Sequence, residues 1–177
     1  MIPAMTDPET NGESQANTLC KSCGLCCTGH LFIWTKLRST ELEPAKKLGL
    51  RVFGSMPSQR GFSQPCPLWL GQCTIYSSPQ YPHYCSTYKC KLLKRVLDET
   101  TSLPEALLTI DQAKQAIHEL EVLLPESQDA NFRERLVAHL EHLEQKLAWE
   151  DKDLKFRLKA DALLALYEQI FGVHDVA

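Results

Sequence analysis

Cys20-Lys21-Ser22-Cys23-Gly24-Leu25-Cys26-Cys27 sets four sulfurs within eight residues. Cys66, Cys73, Cys85 and Cys90 complete the eight cysteines of the chain. Thiolate is the side chain that soft and borderline metals prefer, and a two-residue spacer lets one tight turn aim two sulfurs at one ion. The run decides the reading of this part of the chain: a small, irregular unit built around sulfur, with a metal ion as its partner.

The steps from Cys20 to Cys23 to Cys26 match the start of the bacterial ferredoxin run, whose last cysteine precedes a proline. Here Cys66 precedes Pro67. A cluster held by Cys20, Cys23, Cys26 and Cys66 is chemically reasonable, although Cys27 directly follows Cys26 where ferredoxins leave a gap. Adjacent side chains point in different directions in most backbone conformations. Cys26 and Cys27 are therefore expected to serve different centres, or one of them serves none. Eight thiolates then make two four-sulfur sites, and such sites suit either zinc or an iron–sulfur cluster. The spacing leaves iron and zinc open. The alternative is a disulfide framework, since the cysteine count is even. The crowding of the first four and the lack of an export signal stand against it.

Other residues near the sulfurs have plainer readings beside functional ones. Gly24 and Gly29 suit a loop wrapped around a metal, because glycine accepts positive φ, and equally suit simple turns. His30 and His83 are candidate ligands, but eight sulfurs already fill two sites, so half-buried or surface histidines are expected. His139 and His142 share a helix face without an accompanying Glu-x-x-His pattern, and read as solvated. Glu119, Glu121, Glu141 and Glu144 read as exposed helix faces and not as an acid–base pair. No G-x-S-x-G, phosphate loop or dinucleotide fingerprint is present.

Composition is ordinary for a globular protein: 177 residues, 44% hydrophobic, 23% charged, net charge -3 and pI about 6.1. No basic surface is indicated, which excludes a nucleic acid as the expected partner. No apolar run is long enough to span a bilayer. Residues 1–17 are polar, lack the basic and apolar regions of a secretory signal, and read as a disordered leader. A cytoplasmic location is the expectation.

Around the sulfurs the elements are short. Residues 29–37 and 50–53 read as strands, and 54–67 as loop. Thr40 and Glu43 suggest a capping box for a short helix stopped by Gly49. Residues 68–76 suggest a hairpin turning near Gly71-Gln72 between Cys66 and Cys73. A helix from Ser86 would carry Cys90 one turn beyond its start. After Thr100 the chain becomes helical. Ser102 and Pro104 open a short helix over 105–110, and Asp111 caps another to Leu124. A third starts near Asp129 with the stripe Phe132, Leu136, Leu140, Leu143, Leu147, and a last one runs over 153–171. The fold class is α+β: a leader (1–17), an eight-cysteine metal-binding unit (18–100) with short strands and helices, and a helical C-terminal region (101–177).

Four pieces of this sequence, taken together, resemble a known family. They are Cys20-x2-Cys23-Gly24-x-Cys26-Cys27, Cys66-Pro67-Leu68, Cys73-Thr74-Ile75-Tyr76, and Pro82-x2-Cys85-x4-Cys90. Their order is similar to that in the YkgJ-like cysteine-cluster proteins, the mostly bacterial CxxCxxCC zinc- or iron-chelating domain. The resemblance covers about Leu19 to Leu92 and implies a metal-chelating role for all eight cysteines. It also implies relatives described as iron–sulfur oxidoreductases, and a similar domain in flagellin lysine N-methylases. This chain has Tyr81-Pro82 where the family usually has Arg-Pro, and a longer gap from Cys73 to Cys85. Three functions follow as expectations: a protein that holds zinc or a redox-active iron–sulfur cluster; an enzyme of the oxidoreductase or methylase kind; or a zinc-stabilised module whose helical tail docks a protein partner. Exposed apolar residues on the tail would favour the last.

Overall fold

Ser14 opens the first helix, its hydroxyl accepting a hydrogen bond from Asn17 N–H at 3.3 Å. This helix, α1 (Gln15–Cys23), stops at Gly24, whose φ of 73° needs glycine. The structure, a computed structural model, describes residues 14–54, 56–127 and 130–174. The stretch read as a leader thus ends in helix from Gln15 onward, and residues 1–13 lie outside the described residues.

The fold is α+β. Three short strands, β1 (Trp34–Lys36), β2 (Val52–Phe53) and β3 (Gly61–Ser63), form an antiparallel sheet in the order β1-β3-β2. Trp34 stands opposite Ser63, and Val52 opposite Phe62. The central strand falls within the stretch read as loop. Its three residues are too few to show an alternation, and glycine is normally a strand weakener. Here glycine is required: a Cβ on Gly61 would run into the Thr35 carbonyl oxygen of β1.

Between β1 and β2, a 3₁₀ turn (Ser39–Glu41) leads into α2 (Leu42–Lys47), which ends at Gly49 with φ 82°. The expected Thr40–Glu43 box is replaced by one two residues earlier, at Arg38 and Glu41. The Glu41 carboxylate accepts from Arg38 N–H at 2.6 Å and from His83 N–H at 2.7 Å. The second contact ties the turn to the next helix, which a local sequence signal does not contain.

The helix expected from Ser86 is two helices, α3 (His83–Thr87) and α4 (Lys91–Leu97). The two helices expected over 105–124 are one, α5 (Leu103–Glu121). Ser102 and Glu105 close its capping box, and Asp111 sits inside it because every neighbour supports continued helix. Next comes α6 (Phe132–Glu144), capped by Asn131; Asp129 lies outside the described residues. Last is α7 (Asp151–Leu166), which continues as a π turn (Tyr167–Phe171) and ends at Gly172. Phe132, Leu136, Leu140 and Leu143 are buried as the stripe requires, but Leu147 is fully exposed because α6 has already ended.

Two apolar clusters result. The larger joins Leu19, Leu25, Leu31, Leu92 and Val96 to Ile110, Leu120, Leu136, Phe156 and Phe171 of the helices after position 100. The smaller is Leu37, Ala45, Leu50 and Phe62, under the sheet and α2.

Candidate metal centre

Helix α1 carries Cys20 and Cys23 one turn apart, and the turn that follows carries Cys26 and Cys27. Gly24 makes this turn possible in two ways. It adopts positive φ, and it leaves room for the Trp69 indole, into which a Cβ would project. Trp69 thereby lays the 66–73 segment across the first cysteine run. Trp69 also forms an isolated antiparallel bridge with Cys73, and Leu70 N–H bonds to Gln72 O at 3.1 Å across Gly71. This is the turn read from the sequence. Cys66 N–H donates to Cys27 O at 2.7 Å, which fixes the two cysteines side by side. Cys85 lies within α3. Cys90 caps α4, its Sγ accepting from Leu93 N–H at 3.4 Å.

All eight cysteines are free thiols, each half-buried, so none is paired in a disulfide. Their surroundings divide. Cys23, Cys26 and Cys90 pack against the larger apolar cluster, and Cys66 and Cys85 against the smaller one. A cavity of about 60 Å³ is walled by Cys20, Cys23, Cys26, Cys27 and Cys90 together with leucine side chains, and no charged residue lines it.

Electrostatics divide most of the sulfurs the same way, with Cys20 facing both sets. Burial, then the facing charges of Cys90 and Cys73, push Cys20 up to about 11. Burial is also the main cause at Cys23, which rises to about 12 with Cys90 and Cys20 adding repulsion. Cys26 is raised well above its ordinary value by burial, then by Cys23, Cys90, Cys27 and Cys20. Cys27 is raised by burial and then by Cys66, Cys85 and Cys73. Cys85 reaches about 12 through burial, Cys66 and Cys73. Cys66, Cys73 and Cys90 are raised mainly by burial. Burial and crowding favour the neutral thiols, and a cation among them would offset the penalty of ionising them together.

Backbone N–H groups supply the opposing influence. Those of Leu25, Ile75, the pair Leu68 and Trp69, and the pair Leu92 and Leu93 favour the thiolates of Cys23, Cys73, Cys66 and Cys90 respectively. The donor lies two or three residues after its cysteine each time. Tight turns that point amide dipoles at sulfur suit a metal-bound thiolate. Lys114, Lys94 and Lys21 add positive charge near Cys23, Cys90 and Cys73.

Among the described residues, no group of three or more His, Cys, Asp or Glu side chains already has a geometry that would hold a metal ion. The donor chemistry fits zinc or an iron–sulfur cluster.

The histidines are engaged elsewhere. His30 Nδ1 is 2.7 Å from the Thr28 hydroxyl, and burial holds the ring below its ordinary pKa. His83 Nε2 is 2.6 Å from Arg38 Nη2. His139 packs edge-on against Phe156 with centroids 4.4 Å apart. Glu119, Glu121 and Glu144 pair with Lys159, Arg135 and Arg157, as exposed helix faces do.

Sequence reasoning passed over three tyrosines that wall the sulfurs. The Tyr81 hydroxyl donates to Cys85 O at 3.3 Å and faces Cys20, Cys85, Cys73 and Cys27. Tyr76 stacks beside Tyr81 with centroids 5.1 Å apart and donates to Asn17 Oδ1 at 3.0 Å. Tyr88 faces Cys26 and Cys90. The signal was available at Tyr81, the position noted as replacing the arginine of the resembling family: that position looks onto the sulfurs. Tyr88 and Leu31 also line a groove of about 800 Å³ that β1 and α6 share. No helix among the described residues is long and apolar enough to cross a membrane. No family model, curated protein or solved structure matches the chain.

Proposed function

We propose that this is a cytoplasmic metal-binding protein of the YkgJ-like kind, holding zinc or an iron–sulfur cluster through Cys20, Cys23, Cys26, Cys27, Cys66, Cys73, Cys85 and Cys90. The observation that carries this reading is the assembly of eight free thiols from distant stretches of the chain into mutual electrostatic range. Closely packed thiols that raise one another's pKa need a cation to ionise together. Bound zinc would supply folding free energy, and a bound cluster would supply electron transfer. The spacing of the cysteines along Leu19 to Leu92 supports the family reading. The test is metal and acid-labile sulfide content, with the visible spectrum, on chain purified without oxygen. Metal in thiolate coordination is expected. Folded chain that carries no metal and takes up neither zinc nor iron would overturn the reading.

A second reading, the zinc-stabilised interaction module, is favoured by exposed apolar side chains on the tail. Leu154 and Leu158 lie one turn apart on α7 and are exposed, as are Leu108, Val122 and Leu123. If these residues dock a partner, Leu158→Glu removes the association and leaves metal content unchanged. The groove beside Tyr88 favours the enzyme reading in the same limited way: it offers a substrate-sized space, one wall of which is the Tyr88 ring that also faces Cys26 and Cys90.

A further inference from the structure

The two apolar clusters, the 60 Å³ cavity and the Cys66–Cys27 backbone hydrogen bond sort the sulfurs into groups that the sequence left open. We propose that the chain holds two unequal four-sulfur sites: an inner one of Cys20, Cys23, Cys26 and Cys90 that retains its ion, and an outer one of Cys27, Cys66, Cys73 and Cys85 that exchanges it. The inference rests on the metal-binding reading above and adds the division of the sulfurs and the difference in their behaviour.

The division follows from placement. Cys20 and Cys23 share one helix, and Cys90 caps the neighbouring α4, which packs on the same core. Cys26 lies against that core beside them. Cys27, next in sequence, also borders the cavity, but its carbonyl is bonded to Cys66. Cys66, Cys73 and Cys85 take no part in the cavity wall. Cys20 faces Cys90 first and Cys73 second, and its place on α1 beside Cys23 and in the cavity wall puts it with the inner set.

The inequality follows from what holds each set. Cys20 and Cys23 stand on α1, Cys90 caps α4, and Cys26 packs on the same core from the turn after α1. Sulfurs carried on a formed core leave less binding free energy to be spent on ordering the chain. Cys66 and Cys73 stand on a turn-rich segment whose tip, Leu70 to Gln72, is exposed, over a core of only four buried residues among those described. Ordering that segment consumes binding free energy and weakens the apparent affinity. The outer site is thus suited to respond to, or pass on, a thiophilic divalent ion.

Zinc-loaded full chain mixed with excess chromophoric chelator tests the proposal. Two release phases of one equivalent each are expected, separated by about tenfold or more in rate, as differing ordering costs require. Cys73→Ser should remove the fast phase and keep the slow equivalent. Cys20→Ser should remove the slow one and keep the fast. Alkylation of the unsubstituted protein during release, mapped by mass, gives the same answer without a variant: Cys27, Cys66, Cys73 and Cys85 label first. A single phase for all the zinc, loss of the same phase in both variants, or labelling that mixes the two sets would overturn the proposal. A chain that binds no zinc at all would overturn the division, and one that takes up neither zinc nor iron would overturn the metal-binding reading as well.

Discussion

The two ends of the sulfur assembly rest on very different foundations. Beneath Cys23, Cys26 and Cys90 lies a core built from α1, α4, α5, α6 and α7, with Leu120, Leu136 and Leu143 wholly buried. Beneath Cys66 and Cys85 lie only Leu37, Ala45, Leu50 and Phe62. Units with so little apolar burial rarely hold their shape without disulfides or metal, and no disulfide is present. On the proposed metal-binding reading, the comparison teaches where metal would matter most: the helical part has a large core of its own, and the sheet-and-loop part would depend on what its thiols bind.

The largest expected effect lies on the helical side. Leu120→Ala should destabilise the chain by about 2–5 kcal/mol, because it opens a cavity in a wholly buried position. Urea unfolding followed by far-UV circular dichroism measures it. Since one core joins α1 and α4 to α5–α7, the loss should appear as a single shifted transition, and a separate early transition of α1 would break the comparison.

On the other side, Gly61→Ala should cost about 1–3 kcal/mol by forcing β3 away from the Thr35 carbonyl. The damage should stay local. Amide exchange should rise in β1, β2 and β3 and stay unchanged in α5–α7, whereas a uniform rise would mean that the two cores are one. Smaller again, Ser102→Ala removes the cap of α5 and should cost about 1 kcal/mol, read from the same urea curves.

The smallest effect is a pH dependence. The Lys146 ammonium, 2.8 Å from the buried Asp153 carboxylate, and the Glu150 N–H hold that carboxyl below its ordinary pKa. A depressed folded pKa stabilises the chain above the unfolded value of about 3.9 and loses that contribution as pH falls through the folded value. Asp153→Asn should therefore lower the urea midpoint near neutral pH and narrow its gap from the parent chain as the solution is acidified. A gap that widens in acid would contradict the pairing.

The legible parts of this fold are those written locally. Gly49 and Gly172 stop helices, Ser102 starts one, and the Phe132–Leu143 stripe faces the core, as short-range patterns predict. The cysteine run marked the candidate centre, with Cys26 packed on the larger core and the Cys27 carbonyl accepting from Cys66 N–H. What was missed depends on long-range contact. β3 exists because Gly61 lets two strands approach. Glu41, where Glu43 was expected, accepts from Arg38 N–H and also from His83 N–H, far along the chain. Asp111 looked like a cap by type, but the residues around it continue the helix. Tyr81 and Tyr88 carry no motif, and only the folding of the 66–90 segment brings their rings to the sulfurs.

The most direct measurement of the central claim is hydrogen exchange, read by mass, on the metal-loaded chain before and after a chelator. The dependence of the sheet-and-loop part on metal predicts that removal raises exchange strongly across β1–β3 and the 66–85 segment while α5–α7 keep their protection. Unchanged exchange around Cys66 and Cys85 after complete metal removal would contradict it, because the small core beneath them would then be sufficient alone.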